Sequence, residues 1–160
     1  MIDMEKIFFY EDTPVGRLCI GEKDGCITRV TWGQLPKEWI LEETELIRNC
    51  KMQLDEFFGG KRKEFDLPLA PAGTDFQKKV WNALREIPYG ETRSYKEIAI
   101  QVDSPKGFRA VGMANNKNPI AIIIPCHRVV GANGKMVGYA GGVDHKACLL
   151  ELEKQKKEDE

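Results

Sequence analysis

Between positions 67 and 73 the chain reads Leu-Pro-Leu-Ala-Pro-Ala-Gly, and the spacing of apolar residues differs on its two sides. Pro68 and Pro71 each lack an amide donor and bias the residue before them away from helix, so no regular element runs through this stretch. The 160 residues therefore divide into two parts, 1–72 and 73–160. On the N-terminal side the pattern is β. Lys6–Tyr10 is apolar and aromatic, the segment from Asp12 to Gly16 supplies a turn, and Arg17–Gly21 and Cys26–Trp32 are two further β-rich runs. The Asp24-Gly25 pair between those runs is a hairpin signal, so an antiparallel meander of at least three strands is predicted. From Leu41 the period becomes helical, through Leu46, Ile47, Cys50, Leu54, Phe57 and Phe58, and Gly59-Gly60 ends it. This helix is expected to lie on the meander.

Beyond the break the period is helical. Phe76, Val80, Leu84 and Ile87 mark one helix, which stops at Pro88-Tyr89-Gly90. Ser94 and Glu97 form a capping box that opens a helix over 95–102. The chain turns from Asp103 to Gly107, with Ser104 read as the N-cap and Pro105 as the first residue of the next helix. That helix runs through Phe108, Val111 and Ala114 to Asn118-Pro119. Spacing alone fits both a helix-turn-helix and an ordinary helical hairpin. Ile120–Ile124 has no alternation and is read as buried on both faces. Asn133-Gly134 is read as a turn, and a last helix is expected from near Val143 to about Glu153, with a fraying tail after it.

Chemistry concentrates at Pro125-Cys126-His127-Arg128-Val129. A thiol becomes a nucleophile when ionised, and imidazole or guanidinium groups nearby favour the thiolate. Neighbours on an extended chain point apart, so His127 reaches the sulfur only if the backbone turns or a water intervenes. An inert buried cysteine fits the same five residues. On the last helix Glu153 falls on the stripe of Leu149, Leu150 and Leu152, where a carboxylate needs a partner; a partly exposed ion pair with a lysine fits as well. Arg109, among the small residues Gly107, Ala110 and Gly112, could enter a nucleic-acid groove or simply be solvated.

Charge and cysteine usage narrow the classes. The whole chain is balanced, 24 basic against 25 acidic residues, yet residues 1–73 carry 10 against 14 and residues 74–150 carry 11 against 6. A basic second part is what contact with a polyanion requires. No apolar run is long enough to span a membrane, and the first residues lack the basic region of a signal peptide. Five cysteines without a CxxC pair argue for free thiols in a reducing, cytoplasmic setting.

In order and spacing the second part resembles the O6-methylguanine-DNA methyltransferases. The resemblance rests on Phe76–Trp81, Ile87–Thr92, Ser94-Tyr95, Arg109–Gly112, Asn118-Pro119, Pro125–Val129, Tyr139 with Gly141-Gly142, and Lys146 with Leu149, Leu150, Leu152 and Glu153. The first part resembles the family more loosely, through Thr13-Pro14, Gly16 and Phe57-Phe58 with Gly60-Lys61-Arg62. It implies an N-terminal ribonuclease H-like α/β domain over 1–72. The other domain, over 73–160, is mainly α, helix-turn-helix (winged-helix-like), and carries DNA binding and the alkyl acceptor.

It further implies that Cys126 takes the alkyl group from O6-alkylguanine, and from O4-alkylthymine, in double-stranded DNA after base flipping, once per molecule and without a cofactor. His127 is then the water-mediated base, Glu153 orients it, Asn118 braces the turn, and Tyr95 turns the target phosphate and gives a proton. Arg109 fills the gap left by the flipped base, with Gly107, Ala110, Gly112 and Arg128 at the DNA. Val129, Tyr139 and Ala140 meet the guanine. Three departures from the family pattern stand out: Ala140 where some members have serine, bulky Phe108 where some have a small residue, and no match by Cys19, Cys26 and Cys50 to the zinc ligands of certain members. No metal, no membrane contact and a monomer are expected. The same residues are compatible with a helix-turn-helix regulator sensing through Cys126 and with a Cys126/His127 hydrolase. A recognition protein without repair activity fits poorly, since such proteins lack the acceptor cysteine.

Overall fold

Asp24 and Gly25 both adopt positive φ, 53° and 77°, the left-handed pair that a two-residue hairpin demands. They join β2 (Leu18–Lys23) to β3 (Cys26–Thr31). β1 (Glu5–Tyr10) pairs antiparallel with β2, and a fourth strand, β4 (Trp39–Leu41), pairs parallel with β1, giving the order β3-β2-β1-β4. The meander was legible from sequence, but β4 was not. Of its three residues only Leu41 falls in the stretch read as the following helix, which in fact begins later. α1 (Glu45–Phe58) is capped by the Thr44 side chain, which accepts from the Ile47 amide, so residues 41–43 stay outside it. α1 buries Ile47, Cys50, Leu54 and Phe57 and packs on β2 and β3.

The computed structural model describes residues 4–132 and 142–158, and its contacts form two compact units, Met1–Ala72 and Gly73–Glu160. The second is mainly helical. α2 (Asp75–Arg85) opens with a Thr74/Gln77 capping box, and its Trp81 Nε1–H donates to the Ala114 carbonyl at 2.8 Å. Gly73 leaves the space that the Trp81 ring occupies, where a Cβ would collide with it. α3 (Tyr95–Gln101) has the predicted Ser94/Glu97 box.

α4 (Phe108–Asn116) starts three residues later than read from sequence. Gly107 is its N-cap, without a side-chain cap, and the Ser104 carbonyl instead accepts from the Gly107 amide at 2.8 Å. Ser104 and Pro105 therefore belong to the turn between α3 and α4. A second pairing missed from sequence joins β5 (Arg93–Ser94) in parallel to β6 (Val129–Val130). α5 (Val143–Glu158) runs past Glu153, so the predicted fraying begins no earlier than the end of this helix. The Asn133-Gly134 turn lies outside the described residues. Among the described residues no helix is long and apolar enough to cross a membrane.

The Trp81 bond ties α2 to α4 in a buried setting, so its loss is measurable. Trp81→Phe keeps an aromatic ring but removes the buried donor, leaving the Ala114 carbonyl with the Lys117 amide at 3.2 Å, and is expected to cost about 1 kcal/mol in urea unfolding.

Candidate active site

Ile120–Ile124 is buried throughout, as the absence of alternation implied, but it is a tight turn rather than a strand. Ile122 sits at φ 73°, a conformation costly for a β-branched residue and held only where surroundings enforce it. Asn118 does so from both sides: its Oδ1 accepts from the Ile120 amide at 3.0 Å, and its Nδ2 donates to the Ile124 carbonyl at 2.8 Å. Pro125 then leads into a single 3-10 turn, Cys126–Arg128. The backbone thus bends where an extended chain would have sent Cys126 and His127 apart. Asn115, overlooked in the sequence, donates from Nδ2 to the Cys126 carbonyl at 3.3 Å.

Glu153 gathers the basic groups. It is 1% exposed, and its carboxylate accepts from His127 Nε2 at 2.6 Å, from Arg128 Nε at 2.9 Å and Nη2 at 3.0 Å, and from the Gly90 amide at 3.1 Å. Burial pushes its pKa up, but the hydrogen bonds and charges of His127 and Arg128 outweigh that and hold it down at about 2. Because an ionised carboxylate only accepts, His127 must carry its proton on Nε2. The other ring nitrogen, Nδ1, is buried and makes no hydrogen bond among the described residues. Burial lowers the His127 pKa, against the raising effect of Glu153, which favours the neutral ring, and with the proton on Nε2 the lone pair lies on Nδ1. Arg128 was expected among the DNA contacts. Its guanidinium is instead turned inward, 6% exposed, with Nη1 donating to the Ile87 carbonyl at 2.7 Å. Burying Glu153 requires a permanent cation beside it, and Arg128 is that cation.

Tyr95 opens α3 directly after β5, and Cys126–Arg128 ends directly before β6, so the β5–β6 pairing aligns the two. Burial raises the Tyr95 pKa and the charge of Cys126 raises it further. Lys146 is wholly buried on α5, two turns before Glu153 on the same face. Burial lowers its pKa while the charge of Cys126 opposes the shift, which places the Lys146 amine within electrostatic reach of the thiol. Sequence reading gave Lys146 no role, because a lysine on an amphipathic helix ordinarily points to water. Other thiols are quieter: burial pushes Cys50 up to about 12 and raises Cys19.

Arg109 and Ala110 are exposed on α4, while Gly107 and Gly112 are half-buried. A Cβ on Gly112 would lie 3.8 Å from the Tyr95 ring. Val129 is fully buried. Tyr139 and Ala140 lie outside the described residues. Among the described residues no group of three His, Cys, Asp or Glu gathers into a metal site.

Comparison with known proteins gives a consistent result. The family model described as 6-O-methylguanine DNA methyltransferase, DNA binding domain, matches residues 75–155. Its companion, the ribonuclease-like domain of the same family, matches residues 7–71. The methylated-DNA–protein-cysteine methyltransferase of Methanosarcina barkeri is 60% identical over 120 residues, 75% of this chain and 75% of that protein. The constitutive methylated-DNA–protein-cysteine methyltransferase of Bacillus subtilis is 47% identical over 152 residues, 89% of this chain and 92% of that protein. The crystal structure of Mycobacterium tuberculosis OGT in complex with DNA is similar with a TM-score of 0.87 and 45% identity, covering 95% of this chain and 93% of that one.

The carboxylate at the centre of the site has a consequence for acid stability. Above its ordinary value of 4.5 Glu153 is ionised folded or unfolded, and its stabilisation is present in full. As pH falls from 4.5 toward about 2 the unfolded chain takes up a proton that the folded one refuses, and stability is lost. His127 acts in the same direction below its ordinary value of 6.5. The Glu153 shift corresponds to about 3 kcal/mol. Urea midpoints at about pH 7, 5 and 3 are expected to fall steeply for the wild type and less steeply for Glu153→Gln, which starts from a lower stability at neutral pH.

Proposed function

The chain belongs to the 6-O-methylguanine DNA methyltransferase family, and from that premise we propose a repair protein in which Cys126 Sγ is the acceptor for the alkyl group of O6-alkylguanine. Its activity is that of the methylated-DNA–protein-cysteine methyltransferases: repair of DNA by alkyl transfer to a cysteine. The observation that carries the assignment to Cys126 is the hydrogen-bonded series in which Glu153 fixes the tautomer of His127 one residue from the thiol.

The Cys126 proton passes through a water to His127 Nδ1, and Lys146 stabilises the thiolate that results. Sγ attacks the alkyl carbon in line with the C–O6 bond. The S–C bond forms as the C–O bond breaks, and its electron pair leaves with the guanine oxygen. Tyr95, kept protonated by burial and by the charge of Cys126, gives the departing guanine a proton and recovers one from the imidazolium. The net change moves one proton from Cys126 to guanine and leaves a thioether. A thioether offers water no carbonyl and no good leaving group, so each molecule acts once. The thiolate is both nucleophile and final acceptor, and the reaction needs no cofactor. O4-alkylthymine presents the same alkyl–oxygen bond and is a second substrate.

The reaction requires a flipped base, since an alkyl group inside the stack cannot meet a buried sulfur. α3 and α4 serve as a helix-turn-helix, with Arg109 occupying the gap and Gly107, Ala110 and Gly112 allowing close approach. Tyr139 and Ala140, together with the Val129 carbonyl, hold the extruded guanine. In this reading residues 1–72 are the ribonuclease H-like domain and residues 73–160 the DNA-binding and acceptor domain, acting as a monomer in the cytoplasm, where free thiols persist.

Intact-protein and peptide mass spectrometry after mixing with a duplex holding one O6-methylguanine tests the reading. One methyl per protein on the Cys126 peptide, with guanine restored, is expected; unmodified protein bound to the damaged duplex contradicts it. Arg109→Ala is expected to slow transfer from duplex at least tenfold more than transfer from free O6-benzylguanine, a ratio that corresponds to about 1.4 kcal/mol of lost flipping energy. Equal losses on both substrates remove the finger role.

A further inference from the structure

Three large apolar side chains are exposed among the described residues of the second unit: Ile100 at 67%, Phe108 at 41% and Met113 at 68%. All lie on α3 or α4. On α4 the buried residues Val111, Ala114 and Asn115 define the inward face. With successive residues stepping by about 100°, Arg109 points outward, with Met113 on one side of it and Phe108 on the other. Isolated exposed apolar residues are ordinary, but two of this size bracketing one arginine make a patch. The patch is continuous with the reactive site, because Gly112 of the same helix lies against Tyr95 and Tyr95 feels the charge of Cys126.

The exposed charges around it decide what covers it. Lys96, Lys106, Arg109 and Lys117 outnumber Glu97 and Asp103 there. A second copy of this chain would bring like charges together, whereas a nucleic acid duplex would not. Duplex DNA also offers apolar surface, on its sugars and base edges, against which Phe and Met side chains pack or wedge.

We propose that Phe108 and Met113 pack against the sugar and base edges of duplex DNA on either side of Arg109, as an apolar component of binding that salt does not screen. This rests on the repair function proposed above. It gives this chain a grip on DNA whose strength does not come from phosphate contacts alone, since counterion release governs only the charged part. The two side chains also press on the base steps next to the extruded nucleotide, so that Arg109 enters a stack already parted.

The test measures affinity for a duplex with one O6-methylguanine across a range of salt, in a Cys126→Ser background so that the base stays alkylated. Phe108→Ala/Met113→Ala is expected to weaken binding about tenfold or more at every salt concentration, with the slope of log affinity against log salt unchanged. Phe108→Leu/Met113→Leu, which keeps apolar bulk, is expected to restore most of the affinity. Unchanged affinity in the alanine pair, a loss appearing only as an altered slope, or no rescue by leucine overturns the proposal. So does a concentration-dependent dimer of the unsubstituted protein that the alanine pair abolishes. If the protein with Phe108 and Met113 intact does not distinguish the alkylated duplex from a normal one, the repair reading fails and this inference fails with it.

Discussion

A single buried carboxylate organises the second unit. Glu153 draws together three stretches far apart in sequence: the Gly90 amide, the His127-Arg128 pair and α5 itself. Burying such a charge costs several kcal/mol, and the cost is offset only when every lone pair finds a donor and a cation lies close. Both conditions are met here, since two side chains and one backbone amide donate to Glu153 and Arg128 supplies the cation. The arrangement is also stringent. Removing one partner from a buried pair leaves the other uncompensated, at a cost of about 3–5 kcal/mol, so the interaction that assembles the site is also one that the unit needs for folding.

From that carboxylate the chemistry follows in steps. An ionised Glu153 forces the proton of His127 onto Nε2, burial favours the neutral ring, and Nδ1 is left with the lone pair that the proposed reaction uses as its base. Local backbone then presents the thiol. The Ile122 turn, pinned by Asn118 on both sides, delivers the chain into the 3-10 turn that carries Cys126. Lys146 on α5 and Tyr95 on α3 are both coupled electrostatically to the same sulfur; in the proposed reaction one favours its ionised form and the other keeps a proton for the leaving base. A reaction that ends in a thioether needs no second step, and these groups are accounted for by one displacement.

Much of this was legible in the residues. The Asp24-Gly25 hairpin, the Ser94/Glu97 capping box and the burial of Ile120–Ile124 each have a local cause that sequence carries, whereas the helical stripe fits an inward Glu153 and a partly exposed one alike. What escaped is non-local. β4 and the β5–β6 pair are two or three residues long, too short to show a period, and exist only because a partner strand lies alongside. Arg128 reads as a surface cation until Glu153 is known to be buried beside it. Lys146 reads as a solvated helix residue for the same reason, and Asn115 as a polar residue at a helix end. The Ser104 N-cap was misplaced because Gly107, which offers no capping side chain, fits against Ser104, whose Oγ a Cβ at that position would meet.

The central claim is that Glu153 acts on Cys126 through His127. It is tested most directly by the rate of alkyl transfer from free O6-benzylguanine to Glu153→Gln at neutral pH, in protein shown by circular dichroism to be folded. The account predicts a fall of about a hundredfold or more against wild type, because glutamine neither holds the imidazole tautomer nor stabilises its protonated form. A folded Glu153→Gln protein that reacts at the wild-type rate would contradict it.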